Sequence, residues 1–520
     1  MSQFALKTRL PAYLRTEQQR ITKIAEDFGL DFFPTIFEMT TYDQMSELAA
    51  FGGFPTRYPH WRFGMEYERL RKSAEYGLSR IYEMVINNNP SYAYLLEGNS
   101  LTDQRLVMAH VLGHVDFFKN NFCFAATDLD TLGTTIDPSN RTSDYNPNRR
   151  WIDKIANHGS RISRHHARHG IDKVESFIDH VLSLENLIDP WSPFNAPAPV
   201  RLDDDEDEEP IEVPRLAAKD YMESYINPAD YIEKKRQELE EKPEREKSFP
   251  AHPRRDVLRF LLEHAPLERW EHDVVHIIRS EAYYFVPQMQ TKIMNEGWAS
   301  YWHSKMMTEK IVDASEIVDY ADRNAGVMAT SPGQLNPYKL GVELYRHIES
   351  RWNKGQFGRE WERCDNLDDK KAWNMQLGLG RDKIFQIRKL YNDVTFIDEF
   401  LTPEFVAAQK LYTFGYSGKT GNYEIESREF QKVKDKLLFS LTNFGNPIIR
   451  IIDANYSNRG ELLLEHEHMG VDLRRDYAQA ALAALVRCWK RPVAVATTID
   501  KKPVLVRYDG SEHSESPYKV

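Results

Sequence analysis

The sequence predicts a mainly α-helical body with a small α+β domain at its C-terminal end. Three observations lead there. Apolar residues recur at helical spacing through most of the first 425 residues, with little period-2 alternation. Gly, Pro and capping residues cut that pattern into pieces of helix length. Beyond about residue 425, short β-branched runs take over, beginning with Ile448-Ile449-Arg450-Ile451-Ile452.

Taken in order, residues 12–30 read as an amphipathic helix ending near Gly29. Residues 31–65 are aromatic-rich and repeatedly broken by Gly and Pro, as in Phe51-Gly52-Gly53-Phe54-Pro55, and are expected as an ordered but irregular segment. A helix over 66–86 is stopped by Asn87-Asn88-Asn89-Pro90, because the residue before a proline avoids the helical region. Ser100-Leu101-Thr102-Asp103 opens a helix that runs to about Asn121 and carries His110 and His114. Another helix is expected over 161–186.

The acidic run Leu202–Glu209 and the mixed-charge stretch 233–248 have too little apolar area to offset chain entropy. Residues 196–250 therefore read as a charged linker or insertion between two helical regions, 1–195 and 251–425. In the second region Pro266 suits a helix start, and Pro287 is expected to separate that helix from one over about 288–312. Residues 426–520 form the expected α+β domain, with strands at 448–452, 461–465 and 493–497 and a helix at 474–489.

Composition limits the function. A net charge of −11 and a pI near 5.9 argue against a nucleic-acid or anionic-membrane binder, which needs a cationic footprint. Cys123, Cys364 and Cys488 are widely spaced, so no disulfide scaffold or cysteine zinc ribbon is indicated. With no signal-like N-terminus and no apolar run of the ~18–20 residues a membrane helix needs, a cytoplasmic protein is expected.

Two stretches carry candidate chemistry. His110 and His114 are four apart, so both imidazoles project from one helical face, the arrangement by which a helix offers two ligands to zinc. In Asn295-Glu296-Gly297-Trp298-Ala299-Ser300-Tyr301-Trp302-His303, the positions Glu296, Ser300 and His303 fall on the same stripe as Ile293 and Met307. Glu281, one helix earlier, aligns with Trp270 and Val274. Carboxylates on apolar faces need compensation. A divalent cation between them and the histidines supplies it; so does a buried ion-pair network joining Glu281 or Glu296 to Arg279, Lys292 or a histidine. The pair His272/His276 and the cluster His165, His166 and His169 sit among arginines and read as solvent-facing.

These motifs resemble the SpoVR family. The resemblance rests on Phe54-Pro55-Thr56-Arg57-Tyr58 with His60-Trp61, on Ala109-His110-Val111-Leu112-Gly113-His114 leading into Asp116-Phe117-Phe118, on Lys292–His303, on Asn336-Pro337-Tyr338 and on Gly470-Val471-Asp472-Leu473. It implies a role in sporulation, through spore cortex formation, or in envelope and stationary-phase regulation. It also implies a functional link to a PrkA-type serine kinase and a YhbH-type protein. A partial resemblance, of Glu296-Gly297-Trp298-Ala299 with Tyr301, is to the third-ligand helix of gluzincin-type metallopeptidases. It implies a gluzincin-like helical core with His110, His114 and Glu296 as ligands of a divalent metal, zinc first. The gluzincin general-base position holds Val111, which cannot take a proton. Were the chain a metal-dependent hydrolase of a peptide or cell-wall-related amide, Glu281 would be its general base and His303 its transition-state stabiliser.

Overall fold

The computed structural model describes residues 10–75, 83–128, 149–194, 249–330 and 333–518. The expected charged linker lies almost wholly outside the described residues. The chain is mainly helical, with a sheet in its C-terminal region. No described helix is long and apolar enough to cross a membrane.

Two compact units form, one from residues 1–186 and 268–446, the other from 187–267 and 447–520. Among the described residues, 187–194 and 249–267 group with 447–518 in the second unit. The reason is local pairing: Arg254 bridges to Ile451, and Ala454 N–H donates to the Phe249 carbonyl at 2.5 Å. In this second unit β6 (Ile449–Tyr456), β7 (Glu461–His466), β8 (Val493–Ile499), β9 (Lys502–Tyr508) and β10 (His513–Pro517) make one sheet of order β10-β9-β8-β7-β6. Only β7 and β8 are parallel, and the helix Arg475–Trp489 makes the crossover that a parallel pair requires. The strands and the helix expected there form, and two further strands complete the sheet.

In the first unit the expected helices appear at Ala12–Asp27 and Leu101–Asn120. The helix expected at 161–186 is two, Trp151–His169 and Ile171–Leu182, broken at Gly170, whose φ of 87° is left-handed. The segment expected to be irregular contains strand β1 (Thr35–Thr40) and the helices Tyr42–Ala50 and Trp61–Glu75. β1 pairs in parallel with β3 (Ser91–Leu96), which pairs antiparallel with β2 (Glu83–Ile86), where a helix was expected. A buried register of Ala93, Leu95 and Leu96 fixes this small sheet against the core.

Pro287 does not end its helix. Arg269–Gln290 runs through it, and the break comes at Thr291. A proline costs one interior hydrogen bond, whereas Val286, Pro287 and Gln290 continue the buried face. The next helix, Lys292–Met306, is started by a remote acceptor. Asp393 takes the Ile293 N–H at 2.8 Å on one oxygen and the Met294 N–H at 2.9 Å on the other. That bidentate carboxylate satisfies two of the donors a helix start leaves open.

The core is built round Lys292–Met306, whose residues are nearly all buried. One neighbour is Pro337–Lys354, which Asn336 caps and Gly355 ends. The two meet backbone to backbone: a Cβ on Gly297 would lie 2.5 Å from Gly341 Cα. The other is Leu101–Asn120, where a Cβ on Gly113 would lie 2.8 Å from Ala299 Cα. Glycine is required at both contacts for lack of space, not for its dihedral freedom.

Candidate metal centre

The histidine helix, Leu101–Asn120, begins where Ser100 Oγ accepts the Asp103 N–H at 3.1 Å. Its residues from Val107 to Phe118 are buried on every side, so His110 and His114 are core residues. The glutamate helix, Lys292–Met306, lies against it in the antiparallel sense: His110 meets His303, Gly113 meets Ala299, and His114 meets Asn295. Asp116 locks this register. It accepts from Trp298 Nε1 at 2.7 Å and from Arg388 Nη1 at 2.5 Å, in a pair sealed from solvent.

Within this frame three donor atoms converge. Glu296 Oε2 stands 3.6 Å from His110 Nε2 and 3.4 Å from His114 Nε2. Together the three groups present ligand atoms within 4.8 Å of one another. Oε2 is buried and has no hydrogen-bond partner, although the whole Glu296 side chain retains 19% exposure. The three donor groups are thus buried apart from part of the Glu296 side chain.

The other ring nitrogens explain which face is offered. His114 Nδ1 lies 2.9 Å from Asn295 Oδ1, to which it donates, leaving Nε2 as the lone-pair side. His110 Nδ1 lies 2.8 Å from His303 Nδ1, and His303 Nε2 lies 3.4 Å from Asn324 Oδ1. With Asn324 accepting from Nε2–H, His303 Nδ1 is an acceptor, so His110 donates from Nδ1 and presents Nε2 as a lone pair. Burial, reinforced by His110 alongside, pushes His303 well below the ordinary imidazole value, which keeps it neutral and able to accept. Two imidazole lone pairs and a carboxylate oxygen therefore face one another. Burial works against the Glu296 carboxylate, but the His114 and His110 imidazoles beside it outweigh that and hold its carboxyl below the usual range. This arrangement needs a cation at its centre, a proton or a metal ion. The donor set, two imidazoles and a carboxylate with their outer nitrogens held, fits a divalent metal of the zinc type.

Glu281 has other company. Its Oε2 takes Arg57 Nη2 at 2.7 Å and its Oε1 takes His158 Nδ1 at 2.9 Å, all three groups being buried. Both oxygens are committed to an ion pair, and Glu281 is not among the groups that gather at Glu296. Of the two compensations open to a carboxylate on an apolar face, Glu281 has the ion pair. His303 lies 2.8 Å from the far nitrogen of His110, where it holds that ring's orientation. Val111 is fully buried. His272 is exposed, as its pattern suggests, while His276 is half-buried and His165 pairs with Asp273 at 2.7 Å.

Sequence reasoning gave no role to Asn295, Asn324 or Asp393. Asn295 was within reach: it is four residues before Ala299, on the face that meets Gly113. The other two come from segments with no helical register to the site.

Residues 9–446 match the family model described as SpoVR like protein. Among curated proteins, the Uncharacterized protein YcgB of Escherichia coli (strain K12) is 28% identical over 474 residues, covering 86% of this chain and 84% of its own length. No solved structure matches.

Proposed function

The chain belongs to the SpoVR family, and we propose that it is a metal-binding member acting in sporulation or envelope-linked regulation. On this reading His110, His114 and Glu296 hold one divalent ion, zinc by the chemistry of the donors, within a gluzincin-like helical core. One observation carries it: the buried Glu296 Oε2 has no hydrogen-bond partner and faces two imidazole nitrogens at 3.4 and 3.6 Å. When bound, such an ion supplies Lewis acidity toward whatever occupies its remaining coordination position. The protein's own part is orientation: Asn295 and His303 fix the tautomers of His114 and His110, and Asp116 holds the two helices in register. Val111 and the engagement of Glu281 leave the centre without a general-base carboxylate, which favours a non-hydrolytic ion. The functional link to a PrkA-type kinase and a YhbH-type protein belongs to the same reading.

A second reading, a metal-dependent hydrolase of a peptide or cell-wall-related amide, is favoured by one feature. Three protein donors, rather than four, would hold the ion, as in catalytic rather than structural zinc sites.

Elemental analysis of protein purified without chelator tests the first reading. About one equivalent of metal is expected, and none in the His110→Ala/His114→Ala double variant. A parent protein that neither retains metal nor takes up added zinc would remove the site. Amide hydrolysis by the metal-loaded parent that is lost in the double variant would decide for the second reading.

A further inference from the structure

A second site lies apart from the metal centre, under the hairpin of β4 (Thr413–Ser417) and β5 (Asn422–Ser427). The register sets Phe414 opposite Ile425 and Tyr416 opposite Tyr423, so alternation gathers all four on one face. Gly415, Glu424 and Glu426 fall on the other. The apolar face would ordinarily be packed, yet Tyr416, Tyr423 and Ile425 remain 66%, 58% and 43% exposed. A contiguous exposed patch of this kind marks a binding surface more often than a packing defect.

Part of that face closes a cavity of about 600 Å³, inside the range of small-ligand sites. Leu335, Leu340, Leu411 and Leu437 supply its other apolar walls. The wall at Gly333 is tight, since a Cβ there would lie 3.3 Å from the Tyr423 ring. The polar groups are unequal in sign. Lys339, Lys410 and Lys436 line the cavity and no carboxylate does. Lys436 is engaged by Glu426 at 3.3 Å and by the Phe414 carbonyl at 2.9 Å. Among the described residues Lys339 and Lys410 have no carboxylate within ion-pair distance. Apolar walls with two uncompensated ammonium groups suit a molecule with a hydrocarbon body and an anionic head.

We infer that this cavity binds a single-chain amphiphile with a carboxylate head, the hydrocarbon lying between the hairpin and Leu437 and the head at Lys339 and Lys410. The inference is independent of the metal centre.

Calorimetric titration of the full-length protein with octanoate, decanoate and dodecanoate, each below its micellar concentration, tests it. Affinity should rise about 3- to 4-fold per added methylene while the chain is being buried. The Lys339→Glu/Lys410→Glu double variant should bind decanoate about tenfold more weakly, since two attractive charges become repulsive. These lysines are partly or fully exposed, so the variant should keep the parent's urea midpoint. Leu437→Trp, which fills the groove, should weaken decanoate without altering the charge. Decyltrimethylammonium should fail to bind the parent. Equal binding of that cation, affinity independent of chain length, or retention on phosphatidylglycerol vesicles with no binding of free carboxylates would overturn the inference, the last pointing to a membrane surface.

Discussion

Replacing Gly113 by alanine tests the idea that backbone contact between two helices sets the metal centre. The added Cβ would stand 2.8 Å from Ala299 Cα and 3.2 Å from Ala299 Cβ. Ordinary carbon–carbon contact is about 3.5–4.0 Å, so the histidine and glutamate helices must part by roughly 0.7–1.2 Å at that point. His114 is the next residue, and Glu296 is less than one turn from Ala299. Ligand distances tolerate only about 0.2 Å, so the parting exceeds what three converging donors can absorb. The effect on stability is smaller, because two terms oppose each other. Overpacking costs about 1–3 kcal/mol, and exchanging a helical glycine for alanine returns up to about 1 kcal/mol. The net expectation is a loss of ~0–2 kcal/mol in stability with at least a ~10-fold loss in zinc affinity, comparable to removing a group that orients a ligand. Competition with a chromophoric chelator measures the affinity, and a urea midpoint measures the stability. Gly64→Ala is the control: nothing lies within 4 Å of its Cβ, so it should leave the affinity alone. A folded Gly113→Ala protein whose zinc affinity lies within twofold of the parent would refute the reasoning.

Two further outcomes separate the roles of buried polar groups. Glu281→Gln should keep its metal but lose about 3–5 kcal/mol, because Arg57 is left buried without its counter-charge; metal analysis beside a denaturation curve would show it, and loss of the ion would return Glu281 to the centre. His347 supplies a pH dependence. Burial first, then Arg351, pushes its imidazole down to about 4, so between that value and its ordinary 6.5 the unfolded chain binds a proton the folded one refuses. Its contribution is complete above the upper value and fades as pH falls through the window. The full shift would carry roughly 3 kcal/mol, and the partly solvated ring reduces this to about 1 kcal/mol. Urea midpoints at both ends of the window should therefore differ less in His347→Phe than in the parent, and an identical difference would exclude His347 as a source.

Much of the frame was legible because its signals are local. Ser100 and the i, i+4 histidines mark one helix, and the β-branched runs mark β6, β7 and β8. What escaped depends on distant partners. Pro287 looked like a boundary because its own rule is local, whereas the true start of the glutamate helix is written at Asp393, a hundred residues downstream. β1 was hidden by the glycines and prolines that follow it, since only pairing with β3 makes Thr35–Thr40 a strand. The same division holds for the site. Spacing placed Glu296, Ser300 and His303 on one stripe. It could not show that Arg57 and His158 engage Glu281, or that Asn324 completes the chain of hydrogen bonds through His303.

The separation of the donors along the chain also bears on biosynthesis. His114 and the Asn295 that orients it are 181 residues apart, and His110 and His303 are 193 apart. During translation the histidine helix emerges long before the groups that fix its tautomers and supply the third donor. At synthesis rates of about 5–20 residues per second, that interval lasts roughly ten seconds or more. If the centre binds metal as proposed, the ribosome-bound chain offers an ion at most two unoriented imidazoles until then, and loading follows the meeting of the two helices. The metal content of a preparation would then count the molecules in which that meeting has taken place.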